Sequence, residues 1–469
     1  MPALPLVSAY NGRPRIGLPN SRLVNMIVEP SAGGPSQLIR TTRPGLDSAY
    51  SLGDGPLLRM NQIPGLFNGD LFSISGANLY RNNTLVNAVP FGNNPRMAAA
   101  NGQLAIVVGG ALYVYQNDTL TLIEFFDDGV SRLPSFSSVI VLYNIFLFSV
   151  DGSNQAFFSS VGDATVINAA NFIEAQTDPS PIVEMQVLAE EIYFLKATSV
   201  EIWDFTGSLT APFALSQGRT YARGCASQGS VVTKVDNSLV WIADDFSIYK
   251  SSNVPLKIST PFIDDRLKAC GIAGVAQATA FYLGTEGHAL YVINLPIINE
   301  TYVWDASTKQ WACWGSEDNF QTNPSLYIGN CAAGQASSGI YVGSYKNGEV
   351  YLLNSSTYND AGRAIKTIAS GAILIRGGTK RCNNVSIDCV RGEGTATNNP
   401  IVEMRFSDDA GRTWSSWIPS HLGLQGEYTY KATWRYLGLI TSPGRYFEFS
   451  VSDSVPFTLE DCKFNESRV

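Results

Sequence analysis

Apolar and polar residues alternate along most of the chain in short runs, and Gly, Asn and Asp separate these runs. Alternation with a period of two places successive side chains on opposite faces, so it predicts β-strands. No long stretch repeats apolar residues at the spacing of an amphipathic helix. The segment after Pro261-Phe262-Ile263, which contains Asp264-Asp265, is the place where a short helix could begin. The pattern therefore predicts an all-β protein.

The most apolar run is SVIVLYNIFLFSV, residues 138–150. It is too short to span a bilayer, and Asn144 interrupts it. Two buried strands around a turn at Tyr143-Asn144 explain it better, and we predict no insertion into a membrane.

Many of the strands belong to one recurring unit, in which an apolar strand, a tight turn and a second strand ending in an aromatic pair or its equivalent follow one another. Seven copies occur, namely LFSISGANLYR, LAIVVGGALYVY, IFLFSVDGSNQAFFSS, IYFLKATSVEIWDF, VWIADDFSIYKS, FYLGTEGHALYVI and IYVGSYKNGEVYLL. Their matching aromatic positions are Tyr80, Tyr113, Phe157, Trp203, Tyr249, Tyr291 and Tyr351. A period of about 40–45 residues with hairpins in each copy is typical of β-propeller blades. We predict six or seven blades, and the alternative is a β-sandwich with coincidental hairpins.

The longest interval between the aromatic positions contains TYVWDASTKQWACWG. We predict a strand up to Trp304, a turn through Asp305 and a second strand from Trp311. This resembles a kelch-type hairpin, in which Asp and Thr side chains bind the turn amides. Its predicted role is scaffold.

Composition divides the chain into three parts. Residues 1–50 are rich in Pro and Gly and are predicted to be extended, with one or two strands. Residues 51–367 form the predicted propeller. Residues 368–469 carry alternating strands separated by turns and predict an antiparallel β-sandwich or barrel. The chain ends together are expected to form a platform.

The surface of the protein is expected to be weakly charged and acidic. Charged residues make up 15% of the chain and its net charge is −8, whereas about 25% of residues are charged in an average protein. Such a surface indicates that other subunits cover much of it. No basic block is present that would follow a phosphate backbone, which argues against duplex binding as the main function.

The seven cysteines are scattered and include no Cys-x-x-Cys pair. This pattern favours reduced, cytosolic folding with buried free thiols over a disulfide framework. The alternative is that Cys382 and Cys389 lie near each other on neighbouring strand ends. The first residues, MPALPLVSAYNGRP, have neither a basic start nor a long apolar segment, so we expect no signal peptide.

The segment SDDAGRTW matches the Asp-box pattern known from sialidases. Its defining residues are Ser407, Asp409, Gly411, Thr413 and Trp414. The short acceptors of Ser407 and Asp409 can bind turn amides, Gly411 can supply a positive φ, and Trp414 can lie against a sheet. These roles stabilise a hairpin and face no substrate, so we predict a structural motif.

The rest of the chain offers little for catalysis. A glycosidase needs two opposed carboxylates, and the candidates are Asp127-Asp128, Asp244-Asp245 and Asp264-Asp265. The first two pairs lie at or near predicted turns. The two histidines, His288 and His421, are far apart without metal-ligand spacing, and His288 is predicted to be a solvated turn residue. No phosphate-binding loop or nucleophile elbow is present. We therefore predict no enzyme, no metal and no cofactor, but an interaction scaffold.

Three segments resemble the tail hub proteins of short-tailed bacteriophages, also called packaged-DNA stabilisation, tail accessory or nozzle proteins. The first two are SRLVNMIVEP and RTTRPGL near the start. The third runs from the Asp-box through YKATWRYLGLITSPGRYFEFSVSDSVPFTLEDC, and its family-like residues are Trp434, Arg435, Leu437, Gly438, Ser454 and Pro456. Tyr436 stands where that family often has a second arginine, which puts in doubt a basic contact there.

The resemblance implies a propeller, a β-rich platform built from the chain ends, and a homohexameric ring below the head-to-tail adaptor of the virion tail. Such a ring extends the DNA channel, retains the packaged genome without sequence-specific binding, and anchors tailspikes or fibres and a needle or plug. It would be made and assembled in the cytoplasm of the host bacterium. The alternative function is a carbohydrate-binding or glycan-cleaving propeller that acts as a receptor-binding protein.

Overall fold

The structure is a computed structural model that describes residues 4–7, 9–10, 21–31, 38–208, 210–316, 325–335, 339–375, 377–392 and 398–468. Parts of the predicted N-terminal segment, residues 1–3, 8, 11–20 and 32–37, lie outside the described residues. The chain divides into two compact units. The propeller unit comprises Ser48–Ile298 and Ile328–Leu352, and the terminal unit comprises Met1–Asp47, Asn299–Tyr327 and Leu353–Val469.

Five successive four-stranded antiparallel sheets form blades 1 to 5 of the propeller unit. In chain order, their strands are Leu57–Gln62, Leu71–Ser75, Asn78–Arg81 and Thr84–Ala88; Arg96–Ala100, Gln103–Val108, Ala111–Gln116 and Thr119–Ile123; Phe136–Leu142, Ile145–Val150, Gln155–Ser160 and Asp163–Glu174; Ile182–Leu188, Glu191–Lys196, Val200–Phe205 and Phe213–Tyr221; Val232–Val235, Ser238–Ile242, Ile248–Lys250 and Leu256–Lys257. The sheet prediction is thereby confirmed as a β-propeller.

Two further positions complete a ring of seven. The sixth position contributes the hairpin Thr279–Thr285 and His288–Leu295 to this unit. Blade 7 contains Gly329–Gln335, Gly339–Ser344 and Glu349–Asn354, and its fourth strand is Gly45–Ser51 from the N-terminal side. Blade 7 meets blade 1 where the Asn330 side chain donates to the Leu57 carbonyl at 2.8 Å. An early strand therefore closes the ring, and the described residues form a propeller with seven blade positions.

The apolar core lies between neighbouring blades. Phe136, Phe146, Phe148 and Phe157 are buried in one such layer between blades 2 and 3. The sharp turn inside this region is formed by Tyr143 and Asn144, with φ of 50° and 61°. The two buried strands predicted around this turn are confirmed.

The repeated aromatic residues occupy the third strand of their blades at six of the seven predicted positions, namely Tyr80, Tyr113, Phe157, Trp203, Tyr249 and Tyr351. In blades 1 to 4 an exposed apolar residue of the fourth strand lies directly opposite, in the pairs Tyr80–Leu85, Tyr113–Leu122, Phe157–Phe172 and Trp203–Leu215. Such cross-strand pairs stabilise the outer edge of a blade. The repeat is therefore a packing feature of the blade rim.

The prediction for Tyr291 is wrong, because it lies on the second strand of the sixth position. The α-helix Pro261–Ala276 precedes this hairpin and uses residues that the repeat would have given to strands. The spacing to Tyr249 matched the period by coincidence. Tyr291 is fully buried, and its hydroxyl donates to the carbonyl of Ser230 at 2.8 Å.

The helix begins where the sequence allowed one. Thr260 caps it by accepting from the Ile263 amide, and Pro261 follows at the first position. Gly271, with φ of 66°, interrupts the helical backbone. The described part of the chain also contains three short 3-10 helices, Phe67–Gly69, Gln228–Ser230 and Pro296–Ile298. No helix among the described residues is both long and apolar enough to cross a membrane.

In the terminal unit, the residues that the structure describes form strands of two sheets and a small hairpin. The first sheet has, in spatial order, Glu300–Asp305, Gln310–Trp314, Leu23–Val24, Thr367–Leu374, Gly444–Val451, Ile401–Ser407 and Ile418–His421. The second has Met26–Pro30, Leu38–Thr42, Thr458–Arg468, Thr379–Cys389 and Thr433–Arg435, with Leu439–Thr441 also paired to Thr379–Cys389. The hairpin is Asn359–Asp360 and Arg363–Ala364.

The two chain ends are interleaved in the terminal unit, as the platform prediction requires. Leu23 pairs with Ala369 in the first sheet, and Arg40 pairs with Leu459 in the second. The Leu4 amide also donates to the Cys462 carbonyl at 2.6 Å. The β-sandwich made from both ends is therefore confirmed.

The kelch-type hairpin is confirmed in its local geometry but lies in the terminal unit. Asp305 accepts from the Ser307 amide at 2.9 Å and from the Thr308 hydroxyl at 2.9 Å. Residues 299–327 were predicted to lie within the propeller, whereas here Cys313 pairs with Val24 of the N-terminal strand. The predicted domain boundaries at residues 50 and 367 stay predictions.

Candidate functional site

Buried arginines connect the N-terminal motifs to the rest of the terminal unit. Arg43, from RTTRPGL, is fully buried and donates to both carboxylate oxygens of Asp360, at 2.9 and 2.6 Å. Its guanidinium also lies over the rings of Trp314 and Tyr327, 5.4 and 4.8 Å from their centroids. A bidentate pair between aromatic rings fixes this arginine in one orientation.

A second cluster connects SRLVNMIVEP to the C-terminal strands. Glu448 is fully buried and accepts from Arg22 at 3.3 Å and from Arg405 at 2.8 Å. Arg405 lies between two tryptophans, with its guanidinium carbon 4.5 Å from the ring centroids of Trp414 and Trp417. One carboxylate thus holds an arginine from each end of the chain.

The Asp-box forms the turn that follows the strand Ile401–Ser407. Asp409 accepts from the amides of Arg412 and Thr413 at 3.0 and 2.8 Å, and from the Thr413 hydroxyl at 2.6 Å. Ser407 is buried and accepts from the Gly411 amide at 2.9 Å, and Gly411 has φ of 84°. These contacts are those of a hairpin turn, and an exclusively structural role for the motif stays a prediction.

Replacing Asp409 by Ala should lower the free energy of unfolding of the terminal unit by about 1–3 kcal/mol, because several turn amides lose their acceptor. The hydrogen bond from Thr413 and its neighbours lower the pKa of Asp409 from 3.8 to about 2. The carboxylate therefore stabilises the fold above its unfolded pKa, and the contribution is lost as the pH falls towards 2. Chemical denaturation at neutral and acidic pH measures both effects.

The control for this variant is Asp54→Ala, which removes an exposed carboxylate of the propeller unit. An Asp409→Ala protein as stable as that control at neutral pH would contradict the role of the turn hydrogen bonds.

The structure does not gather the six family-like residues of the C-terminal segment into one cluster. Trp434 is buried, donates to the Ile418 carbonyl at 2.8 Å and contacts Phe449 with ring centroids 5.6 Å apart. Leu437 is buried, whereas Arg435 and Gly438 are exposed. Ser454 and Pro456 lie in the connection between Gly444–Val451 and Thr458–Arg468, and no described hydrogen bond joins them to Trp434.

Arg445 joins this segment to the Asp-box. It donates to both carboxylate oxygens of Asp408, at 2.6 and 2.7 Å, and to the carbonyls of Leu437 and Leu439. Tyr436, between the two regions, is 93% exposed at φ of 59°. Arg445 was not among the predicted site residues; it is buried and lies opposite Ile373 in the central strands.

The propeller unit contains a polar cavity of about 620 Å³ along the innermost strands of its blades. At its side, Arg96 donates to Glu184 at 2.5 Å and to the Gln228 carbonyl at 2.8 Å. Glu184 is fully buried and also accepts from the Ser138 hydroxyl. The network joins blades 2, 3 and 4 to the residues that precede blade 5. Sequence reasoning missed it, because its members are far apart in the chain.

The residues considered for catalysis are dispersed. Asp127-Asp128 and Asp244-Asp245 lie outside regular strands, and Asp264-Asp265 lies in the helix. His288 was predicted to be solvated, but it is buried at the start of a strand and lines the cavity. His421 is exposed in the terminal unit. The described residues contain no cluster of three or more His, Cys, Asp or Glu side chains that could hold a metal ion.

All seven cysteines are buried and none forms a disulfide bond, so the prediction of buried thiols without a disulfide framework is confirmed. Cys382 and Cys389 lie on the same strand, Thr379–Cys389, and not on neighbouring strand ends. Burial raises the pKa of Cys225, Cys331 and Cys389 to about 12. These thiols therefore stay protonated and unreactive at neutral pH.

A seven-bladed propeller closed by an early strand, with both chain ends interleaved in the sheets of the terminal unit, defines a β-propeller protein. The family model described as "Bacteriophage P22 Gp10, beta-propeller" matches residues 3–358. The chain belongs to this family and is a bacteriophage structural protein of the phage-stabilisation class. The match includes the two N-terminal motifs, whereas the Asp-box and the Trp434 segment lie beyond it.

The chain is distantly similar to several solved structures. The extracellular domain of BT4673 from B. thetaiotaomicron is 12% identical with a TM-score of 0.44, over 80% of this chain and 47% of that one. The present chain thus spans about half the length of that structure. The RRP9 WD40 repeats are 11% identical with a TM-score of 0.37, over 67% of this chain and 99% of that one. The N-terminal domain of Nup159 is 10% identical with a TM-score of 0.40, over 71% of this chain and 99% of that one. The comparison with curated proteins gave no match.

Proposed function

We propose that the protein is the hub, or nozzle, of a short bacteriophage tail. Six copies would form a ring below the head-to-tail adaptor, extend the DNA channel and retain the packaged genome. Tailspikes or fibres and a needle or plug would attach to this ring, which is assembled in the cytoplasm of the host bacterium. The observation that carries the proposal is membership of the P22 Gp10 family over residues 3–358.

The construction of the terminal unit supports an assembly role. Buried ion pairs tie the N-terminal motifs to distant parts of the chain, through Arg43 with Asp360 and Arg22 with Glu448. Replacing a buried ion pair by apolar residues is often neutral or stabilising, so such pairs serve geometry more than stability. A rigid sandwich that uses both chain ends is suited to hold a fixed contact surface in a ring.

The charge of the chain suits a channel through which DNA must pass. Its net charge is −8 with a pI of about 5.0. An acidic or neutral wall gains nothing from counterion release, so it does not hold the phosphate backbone. Passage without sequence-specific binding is therefore the proposed relation to the genome.

A non-enzymatic role is part of the proposal. The Asp-box residues contact one another in a turn, and the three acidic pairs lie in separate parts of the chain. The structural character of the family supports the same conclusion.

Particles assembled without this protein should package DNA but lose it. The expected result is that most of the encapsidated DNA becomes sensitive to DNase, while particles supplied with the wild-type chain keep it protected. DNase protection followed by quantification of full-length genomes measures the retained fraction. A matched preparation supplied with the Asp54→Ala chain serves as the positive control. If particles without the protein retained their genomes as well as complete particles do, the role in DNA retention would be excluded.

A further inference from the structure

The cavity in the propeller unit has the size of a ligand site. Its volume of about 620 Å³ lies within the 300–1,000 Å³ that is typical of small-molecule pockets. Small residues leave this space open on the innermost strands of the sixth position and blade 7, where Ala280, Gly284, Ala332 and Gly334 line it. The charged and polar side chains that line this space determine which ligand it can bind.

Arg59 contributes a guanidinium to the cavity that has no hydrogen-bond or ion-pair partner among the described residues. Arg59, on the first strand of blade 1, lines the space and forms no hydrogen bond or ion pair with a described residue. Its neighbours are Arg96, a like charge, and Glu184, whose carboxylate already accepts from Arg96, the Ser138 hydroxyl and the Met185 amide. Arg59 is therefore a cation whose fork of donors is unused.

Arg96 lines the same cavity but is not available in this way. Besides the bond to Glu184, it donates to the carbonyls of Gln228, Asn94 and Pro95, at 2.8, 3.3 and 3.3 Å. Its donors hold blade 2 to its neighbours. Arg96 therefore has a structural role. No structural role of this kind is visible for Arg59.

Without a bound anion, the charged form of Arg59 is unfavourable in the folded protein. Burial and the charge of Arg96 lower the pKa of Arg59 to about 10. The folded state therefore disfavours its charged form, and this arginine costs stability at neutral pH. A guanidinium that forms no hydrogen bond or ion pair with a described residue and disfavours the folded state has no evident structural role.

Uncharged polar groups with unused hydrogen-bonding capacity lie beside it. Asn61 is two residues from Arg59 on the same strand, and Gln186 is two residues from Glu184, so each pair shares one face of its strand. Asn61 and Gln186 line the cavity, and their side chains form no hydrogen bond with a described residue. Amides can donate and accept, so they suit the hydroxyl or carbonyl groups of a small polar ligand.

Two exposed charged residues also line the cavity, namely Glu286 and Lys234. Glu286 lies in the turn before His288. Their side chains carry opposite charges and are exposed to solvent, so together they add no net charge to the cavity. The guanidinium of Arg59 therefore determines the charge that the interior of the cavity prefers.

We propose that the propeller cavity binds a small organic or inorganic oxyanion, with its carboxylate or phosphate group on the fork of Arg59 and its remaining polar groups on Asn61 and Gln186. Planar, bidentate donation to an oxyanion is the interaction for which an arginine fork is suited. The site lies within the propeller unit and does not depend on the proposed assembly of the hub.

The test is titration of the purified full-length protein with inorganic phosphate and, separately, with citrate, at constant ionic strength and neutral pH. Calorimetry gives the dissociation constant, and the two arms show whether phosphate or carboxylate is preferred. The variants are Arg59→Gln and Arg59→Lys, and the matched control is Arg132→Gln, an exposed arginine of the same unit.

At least one anion should bind the wild-type protein saturably, and Arg59→Gln should weaken that binding about tenfold or more. Arg132→Gln should bind like wild type, and Arg59→Lys should bind more weakly because it keeps the charge but loses the fork. Since the Arg59 side chain forms no hydrogen bond or ion pair with a described residue, Arg59→Gln without anion should melt at or above the wild-type temperature. Weaker anion binding by this variant would then not result from loss of folding. Absence of saturable binding to wild type, or equal binding by Arg59→Gln, would overturn the proposal.

Discussion

Replacing Glu184 by Gln should lower the free energy of unfolding of the propeller unit by about 3–5 kcal/mol, because it leaves a buried arginine without its counter-charge. Glu184 is fully buried and Arg96 is 4% exposed, so bulk solvent compensates little of the lost charge. The Gln side chain has nearly the same shape, but one carboxylate oxygen is replaced by an NH₂ group. That NH₂ group would face a hydrogen-bond donor, either Arg96 or Ser138. The damage should reach several blades, since these three residues come from blades 2, 3 and 4.

Denaturant unfolding monitored by tryptophan fluorescence measures the effect, with the transition of the propeller unit followed separately from that of the terminal unit. The matched control is Glu124→Gln, whose carboxylate is 48% exposed and lies 3.8 Å from Arg132. An exposed pair of this kind contributes less than about 1 kcal/mol. A double variant, Arg96→Met with Glu184→Leu, should recover part of the loss because it removes both charges together. If Glu184→Gln and Glu124→Gln were equally stable, the network would not hold the blades as described.

Local patterns were sufficient to predict the blades. Alternating residues and the aromatic at the end of each unit located the third strands from Tyr80 to Tyr249, because each blade is built from consecutive residues. The turn at Tyr143-Asn144 and the hairpin at Asp305 were predicted for the same reason. Short-range hydrogen bonds and cross-strand pairs leave a periodic record in the sequence.

Features that depend on distant residues were missed or predicted only in outline. The closing strand Gly45–Ser51 joins blade 7 across some three hundred residues, and nothing local to it gives that partner. The prediction for Tyr291 failed because the helix Pro261–Ala276 contains about as many residues as a hairpin. The spacing of the aromatic residues therefore looked regular, although Tyr291 lies on a second strand. Arg59 also has no sequence signal, because its lack of a partner is visible only once the blades surround it.

Deleting residues 1–45 should prevent the protein from entering tails while the propeller unit still folds. The deletion removes Arg22 and Arg43, the strand Leu23–Val24 and two strands of the second sheet, Met26–Pro30 and Leu38–Thr42. Asp360 would keep a buried charge without Arg43, a change that commonly costs about 3–5 kcal/mol, whereas Glu448 would lose Arg22 but keep Arg405. The terminal unit should therefore lose its fixed structure.

The propeller unit should survive this deletion, because its blades are held by contacts within Ser48–Ile298 and Ile328–Leu352. Most of the closing strand is retained, including Tyr50, whose ring lies 6.2 Å from that of Tyr341 in blade 7. A protease-resistant fragment that begins near residue 48 is the expected sign of a folded propeller. The Asp409→Ala chain is the matched control, since it weakens a turn of the terminal unit but keeps both chain ends.

The most direct test is electron microscopy of tails assembled from the full-length chain and, in parallel, from the chain lacking residues 1–45. We predict that the full-length and Asp409→Ala chains form a six-fold ring around an open axial channel below the adaptor, and that the truncated chain is absent from the tail. Obligate rings commonly bury more than about 2,000 Å² at each interface, so the density of the ring should be continuous between copies. Normal six-fold rings of the truncated chain on particles that retain their DNA, or full-length protein located away from the channel, would contradict this account.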